Sequence, residues 1–205
     1  MTIFKIVMAT RNRGKAIELK KLLADFSVEI LTLADLSGMP EVEETGATFR
    51  ENALLKAKAA AEFAHLPSLA DDSGLEVDAL AGQPGVYSAR FAGEPASDEK
   101  NNHKLLERLR GIPKEQRTAR FVCTIALVTP DGQVEMTEGR CEGIILEELR
   151  GTGGFGYDPL FYVSELGKTM AELTGEEKNE VSHRGKALRA MLPFLRRISP
   201  KETKS

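Results

Sequence analysis

Two periodicities of apolar and polar positions alternate along the chain, and together they predict an α/β protein. Residues 3–9 form an apolar run that is long enough for a buried strand and too short for a helix. The polar segment 10–15 interrupts this run, and residues 28–33 predict a second strand. Between them, apolar residues recur at the spacing of an amphipathic helix, at Ala16, Leu19, Leu23 and Phe26. The order of strand, polar loop, helix and strand is typical of α/β folds.

A second helix is predicted after an acidic loop at residues 34–46. Thr48 and Glu51 have the spacing of a capping box, so we expect an alanine-rich helix to begin there and to end near His65. Small residues on this helix would allow it to lie close to a sheet, and they occur at positions 53, 57, 60, 61 and 64.

A strand and a third helix are predicted next. Residues 68–80 contain a strand pattern that we expect to break at Asp71–Gly74 and then to resume. Ser97 is a suitable N-cap for a helix that runs to about Arg110, with Gly111 just beyond its end.

The strongest strand pattern predicts a hairpin. Residues 120–128 and 134–146 flank a Pro-Asp-Gly turn at 130–132. Cys123 and Cys141 would then lie near each other across the two strands. Two buried, reduced thiols are the favoured interpretation, because disulfides are rare in reducing compartments.

The last part of the chain combines a glycine-rich loop at 151–158, a strand near 160–163 and an amphipathic helix from about Ser182. Pro193 lies inside that helix and should kink it or end its regular part. Residues 199–205 are expected to form a flexible tail, which assigns the folded domain to residues 1–198.

Composition and charge narrow the functional classes. The chain has 205 residues, a length typical of one large domain, and its 41% hydrophobic and 29% charged residues are close to globular averages. A formal net charge of −3 offers no basic field for a nucleic-acid polymer. Two cysteines without a Cys-x-x-Cys pair exclude a disulfide-stapled scaffold and a thiolate zinc site. No apolar run reaches membrane-spanning length and no leader pattern is visible, so we expect a cytoplasmic protein without a membrane partner.

Four segments carry residues that are suited to chemistry, and each also has a plainer structural interpretation. The first is the loop Thr10–Lys15 between a strand and a helix. Backbone N–H groups at a helix start favour a phosphate, and Lys15 would add a cation. The loop lacks the Walker pattern, and a solvated turn is the alternative.

The second segment contains Asp71 and Asp72, two adjacent carboxylates in a mostly apolar stretch. They would repel each other unless something offsets their charge, and Mg²⁺, which prefers carboxylate oxygens, is one such partner. The acidic loop could supply a further ligand in Glu43 or Glu44. The alternative is a turn or a helix cap, which is common for this sequence.

The third and fourth segments lie near the end of the chain. In the glycine-rich loop, Phe155 and Tyr157 could stack on a flat ring and Asp158 could accept hydrogen bonds, or the aromatic side chains could belong to the core. The segment Ser182–Gly185 follows shortly after Lys178 and contains donors that suit phosphate or carbonyl oxygens. A His-Arg pair on the surface is the alternative there.

Together these segments resemble the non-canonical purine nucleoside triphosphate pyrophosphatases, also called inosine triphosphate pyrophosphatases. Seven motifs match in order from about residue 3 to residue 195, and Arg11 is a small departure because many relatives carry a small or polar residue there. The matching motifs are Ala9-Thr-x-Asn12-x-Gly-Lys15, Glu43-Glu-Thr-Gly46, Glu51-Asn-Ala-x-x-Lys56, Ala70-Asp-Asp-Ser-Gly-Leu75, Pro84-Gly-Val-Tyr-Ser-Ala-Arg90, Gly151-Thr-Gly-Gly-Phe-Gly-Tyr-Asp-Pro159 and Ser182-His-Arg-Gly185.

The resemblance implies an α/β fold with a long mixed β-sheet flanked by helices, two lobes with a central substrate cleft, and a homodimer. The implied reaction cleaves ITP, dITP, XTP or dXTP to the monophosphate and pyrophosphate by attack of water at the α-phosphorus. The implied cellular role is to clear deaminated purines from the nucleotide pool.

The same resemblance implies roles for individual residues. Glu43 and Asp72 would hold Mg²⁺, and Asp72 would also accept a proton from the attacking water. Lys15 and Lys56 would neutralise the phosphate tail. Further substrate contacts are implied for Thr10, Arg11, Asn12, Arg13, Gly14, Ser73, Phe155, Gly156, Tyr157, Asp158, Lys178, His183 and Arg184.

Two other classes of function remain open at this stage. The chain could be a nucleotide-binding regulator without turnover, although the intact Glu43 and Asp72 argue against it. It could also be a phosphohydrolase of related fold that acts on other nucleotides, such as modified pyrimidines. The sequence does not rank inosine against xanthosine, and it does not locate the means by which guanine is rejected.

Overall fold

The computed structural model describes residues 4–24 and 28–199, and it contains the predicted helices and strands in the predicted order, together with a short strand and a helix near the end that were not predicted. Phe26 and most of the predicted tail at 199–205 lie outside the described residues. The elements are β1 (Phe4–Met8), α1 (Arg13–Leu22), β2 (Val28–Thr32), α2 (Phe49–Ala64), β3 (Ser68–Val77), α3 (Asp98–Arg108), β4 (Thr118–Val128), β5 (Val134–Ile145), β6 (Phe161–Val163), β7 (Lys168–Thr169), α4 (Gly175–Val181) and α5 (His183–Ile198).

Within the described residues, the seven strands form one sheet in the order β2-β1-β3-β4-β5-β6-β7. Strand β1 pairs in parallel with β2 and β3, whereas β6 pairs antiparallel with β5 and β7. The predicted α/β class with a mixed sheet is therefore confirmed. No described helix is long and apolar enough to cross a membrane.

The chain divides into two compact units. The first unit comprises the described residues of segments 1–72, 124–138 and 185–205, and the second comprises 73–123 and 139–184. Strands β3, β4 and β5 contribute residues to both units.

The core of the first unit depends on the small side chains of α2. The predicted capping box begins this helix, with Thr48 and Glu51 each accepting a hydrogen bond from the other's backbone N–H at 3.2 Å. Buried alanines then pack against Val7 and Ala70 of the sheet, as the sequence predicts, and they are Ala53, Ala57, Ala60 and Ala61.

The predicted hairpin is formed by β4 and β5, which are hydrogen-bonded neighbours in the sheet. The N–H of Thr129 donates to the carbonyl of Gln133 at 3.0 Å and closes the turn. Cys123 and Cys141 are both buried, and the structure has no disulfide between them, which agrees with the interpretation as two buried thiols.

The break predicted in the third strand is wrong. Strand β3 runs without interruption through Asp71–Gly74, and Gly74 does not adopt the positive φ that would mark a turn. Lysines from two helices pair with Asp71 and Asp72 inside the first unit. Because these cations offset the carboxylate charges, the aspartates are tolerated in a buried strand instead of ending it.

The end of the chain contains one helix that was not predicted, and it excludes one of the two alternatives predicted for Pro193. A capping box at Thr174 and Glu177 begins α4, a helix that the sequence analysis overlooked although the Thr-x-x-Glu pattern is visible. Helix α5 continues to Ile198, so Pro193 does not end it. Proline removes one donor at a cost of about 3 kcal/mol, and burial of residues such as Met191 and Leu195 offsets that cost.

The packing of α2 against the sheet generates a stability prediction. Ala57→Leu should lower the free energy of unfolding by about 1–3 kcal/mol, because the site is fully buried and has no room for three more carbons. Ala59→Leu, at a partly exposed position of the same helix, is the control and should be close to neutral. Urea unfolding of the two variants measures the difference, and equal stabilities would contradict the close packing.

Candidate active site

The loop after β1 has the form of a phosphate-binding helix start. Asn12 is the N-cap of α1, and its Oδ1 accepts a hydrogen bond from the N–H of Lys15 at 3.1 Å. The hydroxyl of Thr10 accepts from the N–H of Asn12 at 3.2 Å. Residues 13–15 therefore occupy the first turn of the helix, where N–H groups lack partners in the helix itself. Arg11, at the tip of the loop, is exposed.

Five charged side chains of the first unit form a cluster, which we call the carboxylate–lysine cluster. Its members are Lys15, Glu44, Lys56, Asp71 and Asp72. Lys15 Nζ lies 3.2 Å from Asp71 Oδ2, and Lys56 Nζ lies 2.9 Å from Asp72 Oδ1 and 2.7 Å from Glu44 Oε1. Three carboxylates face two ammonium groups, so the cluster carries one excess formal negative charge (−3 + 2 = −1). Such a cluster attracts a further cation.

Burial and neighbouring charges act on the cluster in opposite directions. Burial raises the pKa of Asp72, Lys56 and Lys15 lower it in part, and Glu44 raises it again, so that the net change is upward. Burial lowers the pKa of Lys56, but Asp72, Asp71 and Glu44 outweigh that effect and raise the pKa overall. Lys56 therefore stays charged, while Asp72 takes up a proton more readily than an exposed aspartate.

The cluster has the donor chemistry that Mg²⁺ requires. Mg²⁺ is usually bound by one or two carboxylates together with waters and substrate phosphates. Asp72 is one such carboxylate, and Glu43 and Glu44 are the candidates from the acidic loop. In the structure Glu43 is exposed and Glu44 is half-buried against Lys56. The described residues contain no group of three or more His, Cys, Asp or Glu side chains that could hold a metal ion by themselves.

A second group of predicted residues is assembled within the second unit, and we call it the Phe155 cluster. Lys178 Nζ lies 2.6 Å from Asp158 Oδ2, and both side chains are buried. Lys178 and Arg184 also face the Phe155 ring, at 5.0 and 5.6 Å from its centroid. Arg184 Nη2 donates to the hydroxyl of Ser73 at 2.9 Å. The half-buried Phe155 ring is thus flanked by two cations.

The other two predicted aromatic residues of this unit lie in the core. Tyr157 is 4% exposed and its hydroxyl donates to the carbonyl of Ser88 at 2.8 Å. Burial raises the pKa of Tyr157. His183 is also buried and stacks on Phe121 with ring centroids 4.8 Å apart. Phe155 is therefore the aromatic side chain of the glycine-rich loop that is available to a flat ring.

Two glycines of this loop permit close approaches that a larger residue would prevent. Gly154 has φ +72°, and a Cβ atom there would lie 2.0 Å from Asp158 Oδ2. A Cβ atom on Gly153 would lie 2.8 Å from the carbonyl oxygen of Ala171. These glycines allow the loop to fold onto Asp158, whose carboxylate also accepts the N–H of Phe155 at 2.9 Å.

The structure thus brings predicted residues together in two groups, each inside its own unit, whereas Glu43 is exposed outside the first group and Tyr157 and His183 lie in the core of the second unit. It adds two residues that the sequence analysis missed. The N–H of Gly156 donates to Asp98 Oδ2 at 2.7 Å, and Asn102 Nδ2 donates to the carbonyl of Gly156 at 2.9 Å. The visible signal was the pair Asn101-Asn102 inside a helix, because asparagine is a poor helix former and its presence there indicates tertiary hydrogen bonds.

Comparison with known proteins identifies close relatives. The model of the Ham1 family matches residues 6–194, which is almost the whole chain. A dITP/XTP pyrophosphatase of Desulforamulus reducens is 57% identical over 194 residues, which cover 95% of this chain and 96% of the relative. A dITP/XTP pyrophosphatase of Geobacter sulfurreducens is 59% identical over 191 residues, which cover 93% and 96%.

A solved structure agrees with this result. The Ham1 protein of Staphylococcus aureus superposes with a TM-score of 0.85 at 45% identity, and the match covers 95% of this chain and 100% of that chain. Similarity of sequence and of fold extends over nearly the full length in each case. The resemblance predicted from the seven motifs is confirmed, and the chain belongs to the Ham1 family.

Proposed function

We propose that the chain hydrolyses non-canonical purine nucleoside triphosphates, dITP and XTP among them, to the monophosphate and pyrophosphate. The observation that carries this proposal is the carboxylate–lysine cluster, in which Lys56 contacts Asp72 and Glu44 in a buried setting. The names of the relatives support the same activity. The chain is therefore a hydrolase that acts on phosphoric anhydride bonds.

The triphosphate is assigned to the first unit. Lys15 and Lys56 supply cations, and the first turn of α1 supplies N–H groups, with Thr10 and the exposed Arg11 and Arg13 nearby in the chain. In the structure both lysines are paired with carboxylates. A triphosphate brings several negative charges of its own, so it can share these ammonium groups with the aspartates.

The metal is also assigned to the first unit. Asp72 and a glutamate of the acidic loop would hold Mg²⁺. The family resemblance points to Glu43, and the ion pair of Lys56 marks Glu44 as the half-buried alternative. When bound, the ion neutralises phosphate charge and polarises the phosphoryl oxygens.

Asp72 is the proposed general base. Its raised pKa makes it a better proton acceptor than an ordinary aspartate, and Lys56 fixes its Oδ1 by the 2.9 Å contact. The carboxylate takes a proton from a water molecule as the oxygen of that water attacks the α-phosphorus. Pyrophosphate leaves, and the monophosphate keeps the new oxygen.

The base and the sugar are assigned to the Phe155 cluster. The ring of Phe155 offers a face for stacking, and Lys178 and Arg184 are donors beside it. The N–H groups of Gly153, Phe155 and Gly156 already donate to protein acceptors. We therefore assign recognition of a 6-keto oxygen to side-chain donors, Arg184 above all. A purine with a 6-amino group would place its own donor against these donors and would bind less well.

Four further assignments belong to the proposal. The enzyme acts in the cytoplasm and as a homodimer, and residues 1–198 are one catalytic domain. Its cellular role is to remove deaminated purines before a polymerase uses them. A regulator without turnover would share the binding residues, but it would release no pyrophosphate.

The role of Asp72 can be tested with an isosteric change. Asp72→Asn should reduce kcat by at least about 100-fold, because general-base contributions alone are typically 10²–10⁴-fold. Asp71→Asn is the matched comparison, since it alters the neighbouring carboxylate that pairs with Lys15, and we expect a loss at least about ten times smaller. Steady-state ITP hydrolysis with Mg²⁺ measures both. An Asp72→Asn enzyme within threefold of wild type would remove Asp72 from the role.

Base selectivity gives a second prediction. ITP or XTP should exceed ATP by at least about 100-fold in kcat/KM, because a donor left unpaired against a 6-amino group costs about 1–3 kcal/mol and several donors add up. Arg184→Ala should reduce the ratio of kcat/KM for ITP to kcat/KM for ATP, chiefly by lowering the value for ITP. Arg189→Ala, at an exposed position of the same helix, should leave this ratio unchanged.

The measurement is a panel of triphosphates at equal concentration, with pyrimidine triphosphates included. Equal turnover of ATP and ITP by the wild type would contradict the base assignment. Faster turnover of a modified pyrimidine would favour the phosphohydrolase of related fold.

A further inference from the structure

One residue of the glycine-rich loop, Gly156, is held by α3 at both its N–H and its carbonyl. Asp98 Oδ2 accepts the N–H of Gly156 at 2.7 Å, and Asn102 Nδ2 donates to the carbonyl of Gly156 at 2.9 Å. Asp98 and Asn102 are four residues apart, so they lie on the same face of the helix, one turn from each other. The two side chains therefore form a clamp on a single residue, and we call them the α3 clamp.

The clamped residue lies at a critical point of the loop. Gly156 has φ +63° and separates Phe155, whose ring faces Lys178, from the buried Tyr157. Glycine adopts positive and negative φ almost equally readily, so the hydrogen bonds to the N–H and to the carbonyl of Gly156 are what hold it at this value. The clamp thus fixes the direction in which the Phe155 ring leaves the backbone.

Helix α3 is itself anchored in the second unit, so it can act as a rigid support. Asn101 Oδ1 accepts the N–H of Ala92 at 2.7 Å, and its Nδ2 donates to the carbonyl of Ala89 at 2.9 Å. Leu105 of the same helix is fully buried in the core. A support that does not move is what a binding loop needs when its position decides how a ligand is held.

The buried side chain of Asn102 lowers the stability of the fold, so packing alone does not explain why an asparagine occupies this position. It is 6% exposed, and its Oδ1 receives no hydrogen bond from any described residue. A buried acceptor without a partner lowers stability, and an apolar side chain at this position would avoid that penalty. The hydrogen bond that Asn102 donates to Gly156 is the compensating interaction that the structure shows.

We propose that Asp98 and Asn102 are positioning residues for the nucleobase of the substrate. This inference rests on the proposed function, because that function assigns the base to the Phe155 cluster. Neither residue is assigned a contact with the substrate. They act through Gly156, which keeps the Phe155 ring in one place before the nucleotide binds. Because the loop is already ordered, binding costs less conformational entropy and the affinity for the nucleotide is higher.

Amide hydrogen exchange of the protein without nucleotide tests the clamp directly. Asp98→Ala should speed exchange at Gly156 by about tenfold or more, because a hydrogen bond to a charged acceptor is lost. Asp98→Asn keeps an oxygen that can accept the N–H and should restore much of the protection. Glu99→Ala is the matched control, since it removes a neighbouring carboxylate from the same exposed helix turn. It should leave Gly156 unchanged.

Kinetics of the same three variants tests the positioning role. Asp98→Ala should raise KM for ITP by about tenfold while kcat stays within about threefold, because the loop binds the base and not the reacting phosphates. Inhibition by inorganic pyrophosphate, which has no base, should be unchanged. This pattern differs from that of a merely destabilised protein, in which the binding of pyrophosphate would weaken as well.

The outcomes separate this inference from the proposed function. Lack of ITP hydrolysis by the wild type would refute the function, while the exchange experiment would still report on the clamp. Wild-type exchange at Gly156 in Asp98→Ala would overturn the clamp. Faster exchange with an unchanged KM, or with a fall in kcat alone, would overturn the positioning role.

Discussion

The burial of two adjacent carboxylates inside strand β3 is the constraint on which the first unit depends. The Asp71 side chain is fully buried and that of Asp72 nearly so, and removing an ion from water costs several kcal/mol in proteins. Each of the two carboxylates is offset by its own lysine. Lys15 reaches Asp71 from the first turn of α1, and Lys56 reaches Asp72 from α2. The positions of both helices are therefore tied to the charges of one strand.

The same buried charges also supply the groups that the proposed reaction needs. A cluster of two ammonium groups and three carboxylates is nearly balanced, so it tolerates burial, yet its components are those that a metal and a triphosphate require. Burial raises the pKa of Asp72, and the carboxylate neighbours of Lys56 raise the pKa of that lysine, which stays charged. In the proposed function, the phosphates would bind to groups that are already in place and would only redistribute their contacts. This preorganisation limits the reorganisation that the reaction needs.

Local patterns in the sequence predicted the elements whose signals are themselves local. The apolar run of β1, the capping box of α2 and the Pro-Asp-Gly turn depend on residues close in the chain, and the structure has each of them. The break expected at Asp71–Gly74 failed because the partners of those aspartates come from distant helices. The turn propensity of Asp71–Gly74 does not include the effect of Lys15, which lies 56 residues earlier in the chain.

In the candidate site, too, the sequence indicates some of the residues, whereas their contacts depend on the three-dimensional structure. Residue types and motif order identified Lys56 and Asp72, but the pairing of Lys56 with Glu44, and not with the adjacent Glu43, depends on side-chain geometry. The buried position of Tyr157 was one of two open alternatives, because glycine-rich loops can place an aromatic residue on either side. The clamp on Gly156 joins segments 54 residues apart and has no local signature beyond the two asparagines in α3.

The proposed reaction depends on attack of water at the α-phosphorus of a nucleoside triphosphate. Hydrolysis of ITP in water enriched in ¹⁸O, followed by mass spectrometry of the products, tests it most directly. Attack at the α-phosphorus predicts inosine monophosphate that carries one ¹⁸O atom together with unlabelled pyrophosphate. Label in pyrophosphate, or release of inosine diphosphate and inorganic phosphate, would contradict the account.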